Sequence, residues 1–242
     1  MRNTYLLLAV SIVIAAAATL YPYKQVSVAD GTIFLTVIGV TYGLISAFSI
    51  NNADKCLDQL RDSFAHEASS LRAIFLMSRK LKDNSIKKKI KHLLEDYCKD
   101  TINLDIKEYE NGVSAHEKFN DLANAVFETK SKMDSDNRLL TSMTQELVKA
   151  SSLRDEQIVL ARDRLPATQW ALELFLSIVL ISGLSMTNFQ DSMSHIFVFM
   201  LNLSVLVILV VIYKLDSVTD FEEEVSNEPY RSLLRLIQHT GM

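Results

Sequence analysis

The chain has 242 residues, a formal net charge of −4 and 49% hydrophobic content, which places it between a soluble domain and a wholly embedded one. Six Gly and three Pro punctuate it too sparsely for a strand-and-turn fold, so long helices and an all-α class are predicted. Cys56 and Cys98 lack metal spacing, and there is no phosphate-binding glycine loop or nucleophile elbow, so the sequence offers no enzyme chemistry.

Four apolar stretches, Tyr5–Tyr21, Thr32–Ile50, Ala167–Met186 and His195–Tyr213, each approach the roughly 20 residues a helix needs to cross ~30 Å of hydrocarbon. The prediction is an integral membrane protein with 1–50 as one transmembrane helix pair, 51–166 as a four-helix stalk, 167–213 as a second pair and 214–242 as a tail. Arg2, Lys55, Arg61, Arg162, Arg164 and Lys214 fall on one side of these spans and Lys24 on the other, which puts both termini and the stalk in the cytoplasm. Arg2 followed by Tyr5–Leu20 also reads as a cleavable signal peptide, against which the apolar run exceeds a usual h-region.

Small residues at four-residue steps, Ser11, Ala15 and Thr19 in the first span and Gly39, Gly43 and Ala47 in the second, let a neighbouring backbone approach closely. The face of the second span away from Gly39 and Gly43 offers Ile38, Tyr42, Ile45 and Ser49 as candidate pore-lining residues, which as a ring would gate ions by dewetting. An ordinary lipid- or protein-facing surface is the alternative. Glu173 and Asn202 are the notable polar residues of the later spans. Glu173 lies near enough to the interface to reach headgroups, and Asn202 is expected to hydrogen-bond to Ser182 or another third-span group.

Past Ile50 the pattern narrows to one apolar stripe, Leu57, Leu60, Phe64, Ala68, Leu71, Ile74, Phe75 and Leu81, with no breaker, so the second span is predicted to run on as a stalk helix. Asp83-Asn84-Ser85 turns the chain into a second helix carrying Ile90, Leu94, Tyr97 and Thr101. Ser114 with Glu117 makes a capping box for a third helix through Phe119, Leu122, Val126 and Met133. A fourth begins near Asp134 and carries Leu140, Met143, Leu147 and Ala150 toward Pro166, a good first residue for the third span. Glu67 and Arg154 both fall inside apolar stripes at similar heights above the membrane, which predicts a structural ion pair, the alternative being that each snorkels to water.

Lys and Arg balance Asp and Glu across 51–166, so no nucleic-acid partner is expected. The local run Arg79, Lys80, Lys82, Lys87, Lys88, Lys89 and Lys91 reads first as a solvated turn, and otherwise as an ion-collecting rim or partner site. His66-Glu67 and His116-Glu117 begin like a zinc-protease helix, but Ser70 and Asn120 stand where the second histidine belongs. Asp216, Asp220, Glu222, Glu223 and Glu224 have the oxygen chemistry for a hard cation, yet no turn glycine shapes a loop, so no metal ligand and no cofactor is assigned. Tyr230, Leu233, Leu234 and Ile237 after Pro229 make an amphipathic helix that should dock on the stalk or on a neighbouring copy.

The chain resembles the bestrophin-like family of bacterial membrane proteins from about Thr36 to Leu236. The resemblance rests on Phe48 closing the second span, Glu67-Ala68, Tyr97, Glu108-Tyr109, Arg154, Pro166 with Trp170, and Leu215-Asp216. It departs at Tyr109, where the family often has tryptophan, and at Ser217 to Phe221, where the family has a proline-phenylalanine-glycine turn. Kinship with bestrophins implies a pentameric anion channel with a pore lined by the second span. It also implies a location in the bacterial inner membrane.

The expected function is therefore passive ion conduction by a homo-oligomer, with the lipid bilayer, other copies of the chain and inorganic ions as partners. The competing expectation is a non-conducting scaffold or signalling protein that recruits partners through the stalk. A sensor with the stalk facing outward is a third.

Overall fold

A computed structural model describes residues 28–103, 113–129, 133–162, 165–186, 192–217 and 227–239. These residues form seven helices and no strand: α1 Val28–Ser78, α2 Asn84–Asn103, α3 Val113–Phe127, α4 Asp134–Arg162, α5 Ala167–Met186, α6 Ser192–Ser217 and α7 Asn227–His239. The expected first span Tyr5–Tyr21, with Ser11, Ala15 and Thr19, lies outside the described residues, as do Glu108, Tyr109 and the side chain of Ser114. The chain divides into two compact units, Met1–Lys55 with Arg164–Asp220, and Cys56–Asp163 with Phe221–Met242. Between Gly43 and Ser78 there is neither Gly nor Pro to interrupt backbone hydrogen bonding, and α1 is accordingly unbroken.

In the first unit, α1, α5 and α6 are long and apolar enough to cross a membrane. Tyr42, Leu176, Leu180 and Val205 form its core, with Leu35, Ile38, Ile45 and Ile208 packed against them. Asp216 anchors the start of α5: one carboxylate oxygen accepts from the Leu165 amide at 2.7 Å and the other from the Trp170 indole at 2.9 Å. The Trp170 ring meets Tyr213 edge-on at 6.5 Å. At Gly183 α5 packs closely on α1, since a Cβ there would lie 2.7 Å from a Leu35 methyl.

In the second unit every residue of the predicted α1 stripe from Leu57 to Leu81 is buried. Asp83 caps α2 by accepting from the Ser85 amide at 2.9 Å. The wholly buried Asp136 of α4 accepts from the Lys82 and Asp83 amides, each at 3.2 Å, and so fixes the α1–α2 turn from a distant point in the chain. Phe119, Leu122 and Val126 of α3 are buried as expected, but α3 ends at Phe127 and Met133 stands half-exposed beyond it. The tail helix α7 packs on α2 through Tyr230, Leu233 and Ile237. The chain's own helical unit thus covers its apolar face.

Candidate functional site

The second predicted span offers two faces, and the structure treats them oppositely. Tyr42 and Ser49 are buried, and Ile38 and Ile45 are half-buried beside the core of α5 and α6. Tyr42 donates its hydroxyl to the Val205 carbonyl at 3.1 Å. Within the single chain these four side chains pack, wholly or partly, against α5 and α6. On the other side of α1, Val37, Val40, Leu44 and Phe48 are each 58–69% exposed. Gly43 and Ala47 share that open side: a Cβ on Gly43 would meet nothing within 4 Å, whereas one on Gly39 would lie 3.9 Å from Leu180.

Glu173 turns inward, away from the headgroup position expected of it, and is 1% exposed. Ser46 and Ser49, three residues apart on α1, reach its two carboxylate oxygens from one helix face, at 3.0 Å and 2.6 Å. Gln169, one turn earlier on α5, donates to the Ser49 hydroxyl at 2.7 Å. Asn202 donates to Ser185 at 3.4 Å, one turn beyond Ser182. The signal for this cluster was in the sequence: Tyr42, Ser46 and Ser49 recur at steps of four and three, which in a span marks the protein-facing side.

Glu67 and Arg154 are both buried in the helical unit, and the structure joins them through a tyrosine. Arg154 Nη1 donates to the Tyr97 hydroxyl at 2.6 Å, and that hydroxyl donates to Glu67 Oε1 at 2.5 Å. The other carboxylate oxygen accepts from Gln157 at 2.8 Å and from Tyr230 of the tail helix at 2.7 Å. The guanidinium also lies 4.9 Å from the centre of the Phe119 ring, a cation–π contact. Burial pushes the Glu67 carboxyl above the usual range, and the Arg154 charge and the Tyr97, Tyr230 and Gln157 donors pull it partly back. Sequence reasoning missed Tyr97 and Tyr230 as partners because each sits in an apolar stripe and reads as core.

Among the described residues no group of three His, Cys, Asp or Glu is placed to hold a metal ion. Asp220, Glu222, Glu223 and Glu224 lie outside them, and Asp216 already serves Leu165 and Trp170.

The Bestrophin-like domain matches residues 6–221 of the chain. The chain belongs to the Bestrophin-like family. A crystal structure of a variant of a bacterial bestrophin homologue from Klebsiella pneumoniae superposes with a TM-score of 0.72 at 12% identity, covering 99% of this chain and 100% of that one. A second, described as a membrane protein variant, gives 0.73 at 10% identity, covering 99% and 98%. At these identities the likeness is one of fold. No curated protein matches the sequence. This bestrophin-like membrane protein therefore presents, on a shared fold, an apolar helix face open over several turns and the buried carboxylates Glu67, Asp136 and Glu173.

Proposed function

We propose that this protein is a homo-oligomeric ion channel of the inner membrane, with both termini cytoplasmic, in which copies of α1 surround an ion path. The open stripe Val37, Val40, Leu44 and Phe48 faces that path, while Tyr42, Ser46 and Ser49 brace the helix from behind against Glu173 and α6. A ring of such side chains is a hydrophobic constriction, which passes ions when wetted and blocks them when dry. Conduction is passive and involves no bond-making step.

The observation that carries the reading is the contrast between the two faces of α1. A polar back fixes the helix to its own chain, and an apolar front with Gly43 and Ala47 beside it gives neighbouring copies room to approach. Closed cyclic symmetry satisfies such a repeated contact, and five copies, with anions as the permeant species, follow the bestrophin resemblance. Gly39, Gly43 and Ala47 then pack helices within and between copies. The experiment is a planar-bilayer recording of purified protein. Unitary currents altered by Leu44→Ala support the proposal, and silence across salts, pH and calcium counts against it.

A further inference from the structure

The second unit contains a cleft of about 490 Å³ between α1 and the tail helix α7. Its polar rim is Ser69 and Arg72 from α1 and Ser232, Arg235 and His239 from α7. Its floor is apolar, made of the buried Ala68 and Leu233, with Leu236 half-buried beside them. Ala65, Ala68, Ser69 and Arg72 fall on one face of α1, as Ser232, Leu233, Leu236 and His239 do on α7, so one face of each helix forms each wall. Among the described residues no acidic side chain lines the cleft. Arg72 and His239 have no ion pair among the described residues. Arg235 has only a 3.8 Å approach to Glu228, between side chains that are both about two-thirds exposed, a tie that solvent screens.

We propose that this cleft binds an organic phosphate. The anionic head is held by Arg72, Arg235 and the two serine hydroxyls, with His239 at the rim, and the carbon skeleton lies on Ala68 and Leu233. Arginine suits this task because its planar fork of donors matches phosphate oxygens, and an apolar floor with few convergent polar groups is the usual make-up of a small-molecule site. The ligand bridges two helices far apart in sequence, so its binding energy also holds α7 on the unit. The head is that of a soluble phosphate ester, since the α1 wall of the cleft begins only at Ala65, about 22 Å along the helix past Ile50 at 1.5 Å per residue. The site does not depend on whether the chain conducts.

The test is isothermal titration calorimetry on full-length protein in phosphatidylcholine nanodiscs, with phenyl phosphate and inorganic phosphate as probes. Phenyl phosphate should bind more tightly than inorganic phosphate because of the floor. Arg72→Gln and Arg235→Gln should each weaken it by about tenfold or more, the loss of one charge-assisted hydrogen bond. Both arginines are exposed, so the variants should melt with the wild type in the absence of ligand. No binding at millimolar phenyl phosphate in phosphatidylcholine, or equal binding by both variants and wild type, overturns the proposal.

Discussion

Tyr230 of the tail helix donates its hydroxyl to Glu67 Oε2 at 2.7 Å, although 163 residues separate them in the chain. The tail helix is thus fixed to the helical unit by a polar key as well as by its apolar stripe. The Tyr230 ring lies in an aromatic cluster, edge-on to Phe64 at 6.2 Å and to Tyr97 at 6.3 Å. Apolar burial alone tolerates sliding of a helix, whereas a hydroxyl aimed at a carboxylate fixes its rotation and height.

Tyr230→Phe keeps the ring and removes the key. It should cost about 1–3 kcal/mol, the price of leaving a buried acceptor short of a donor. In a chain of this size that is an apparent Tm lower by roughly 2–10 °C. Tyr97→Phe should cost more, because the same hydroxyl also receives Arg154. Differential scanning fluorimetry on the two purified variants checks the order.

Glu67→Gln should change how stability depends on pH. Burial raises the Glu67 carboxyl above its value in the unfolded chain, so its contribution is fully present below the unfolded pKa near 4.5. That contribution is lost as pH rises through the higher folded value. The wild-type Tm minus that of Glu67→Gln should therefore fall with rising pH across that window, measured as paired melts from pH 4 upward. A difference that stays flat contradicts the assignment. Unchanged melting and assembly in Glu67→Gln at every pH would remove the proposed Glu67–Arg154 pairing as well.

Ser46→Ala and Ser49→Ala each take a donor from the enclosed Glu173 carboxyl. Each should lower stability by about 1–3 kcal/mol. Ser49→Ala should be the more damaging, since it also orphans Gln169. Their double variant should fall short of the sum, because the two share one acceptor. Melting curves of the two single variants and the double variant in one detergent decide this.

Cys98 should resist thiol reagents in the folded protein. It is fully buried, and burial together with the nearby Glu67 and Glu95 carboxylates pushes its thiol up to about 12. Native labelling with a maleimide at pH 7.5 followed by mass spectrometry should find Cys98 unmodified, with modification appearing on unfolding.

Much of the helical unit was legible because a stripe against water has contrast. Leu57 through Leu81 alternate with charged residues, and all eight predicted stripe positions are buried. Inside the membrane that contrast vanishes. Lipid and protein are equally apolar, so Ile38 and Ile45 look the same in sequence as Val37 and Leu44, and only the rare polar residues report direction. Ser46 and Ser49 carried that report and point to Glu173, and Tyr42 on the same face points to the Val205 carbonyl. Met133 was assigned to α3 on period alone, although the helix stops at Phe127. Tyr97 and Tyr230 went unnoticed as ligands of Glu67 because an aromatic ring satisfies an apolar pattern whatever its hydroxyl does.

If copies of α1 surround an ion path, the open face of α1 meets that path and the Tyr42 face does not. Single cysteines at Leu44, Phe48 and Tyr42, each in a Cys56→Ser, Cys98→Ala background, can be treated with a charged methanethiosulfonate reagent during planar-bilayer recording. The prediction is that current is blocked at Leu44 and Phe48 and unaffected at Tyr42. Block at Tyr42 with none at Leu44 or Phe48, or no unitary current from the wild type, would contradict it.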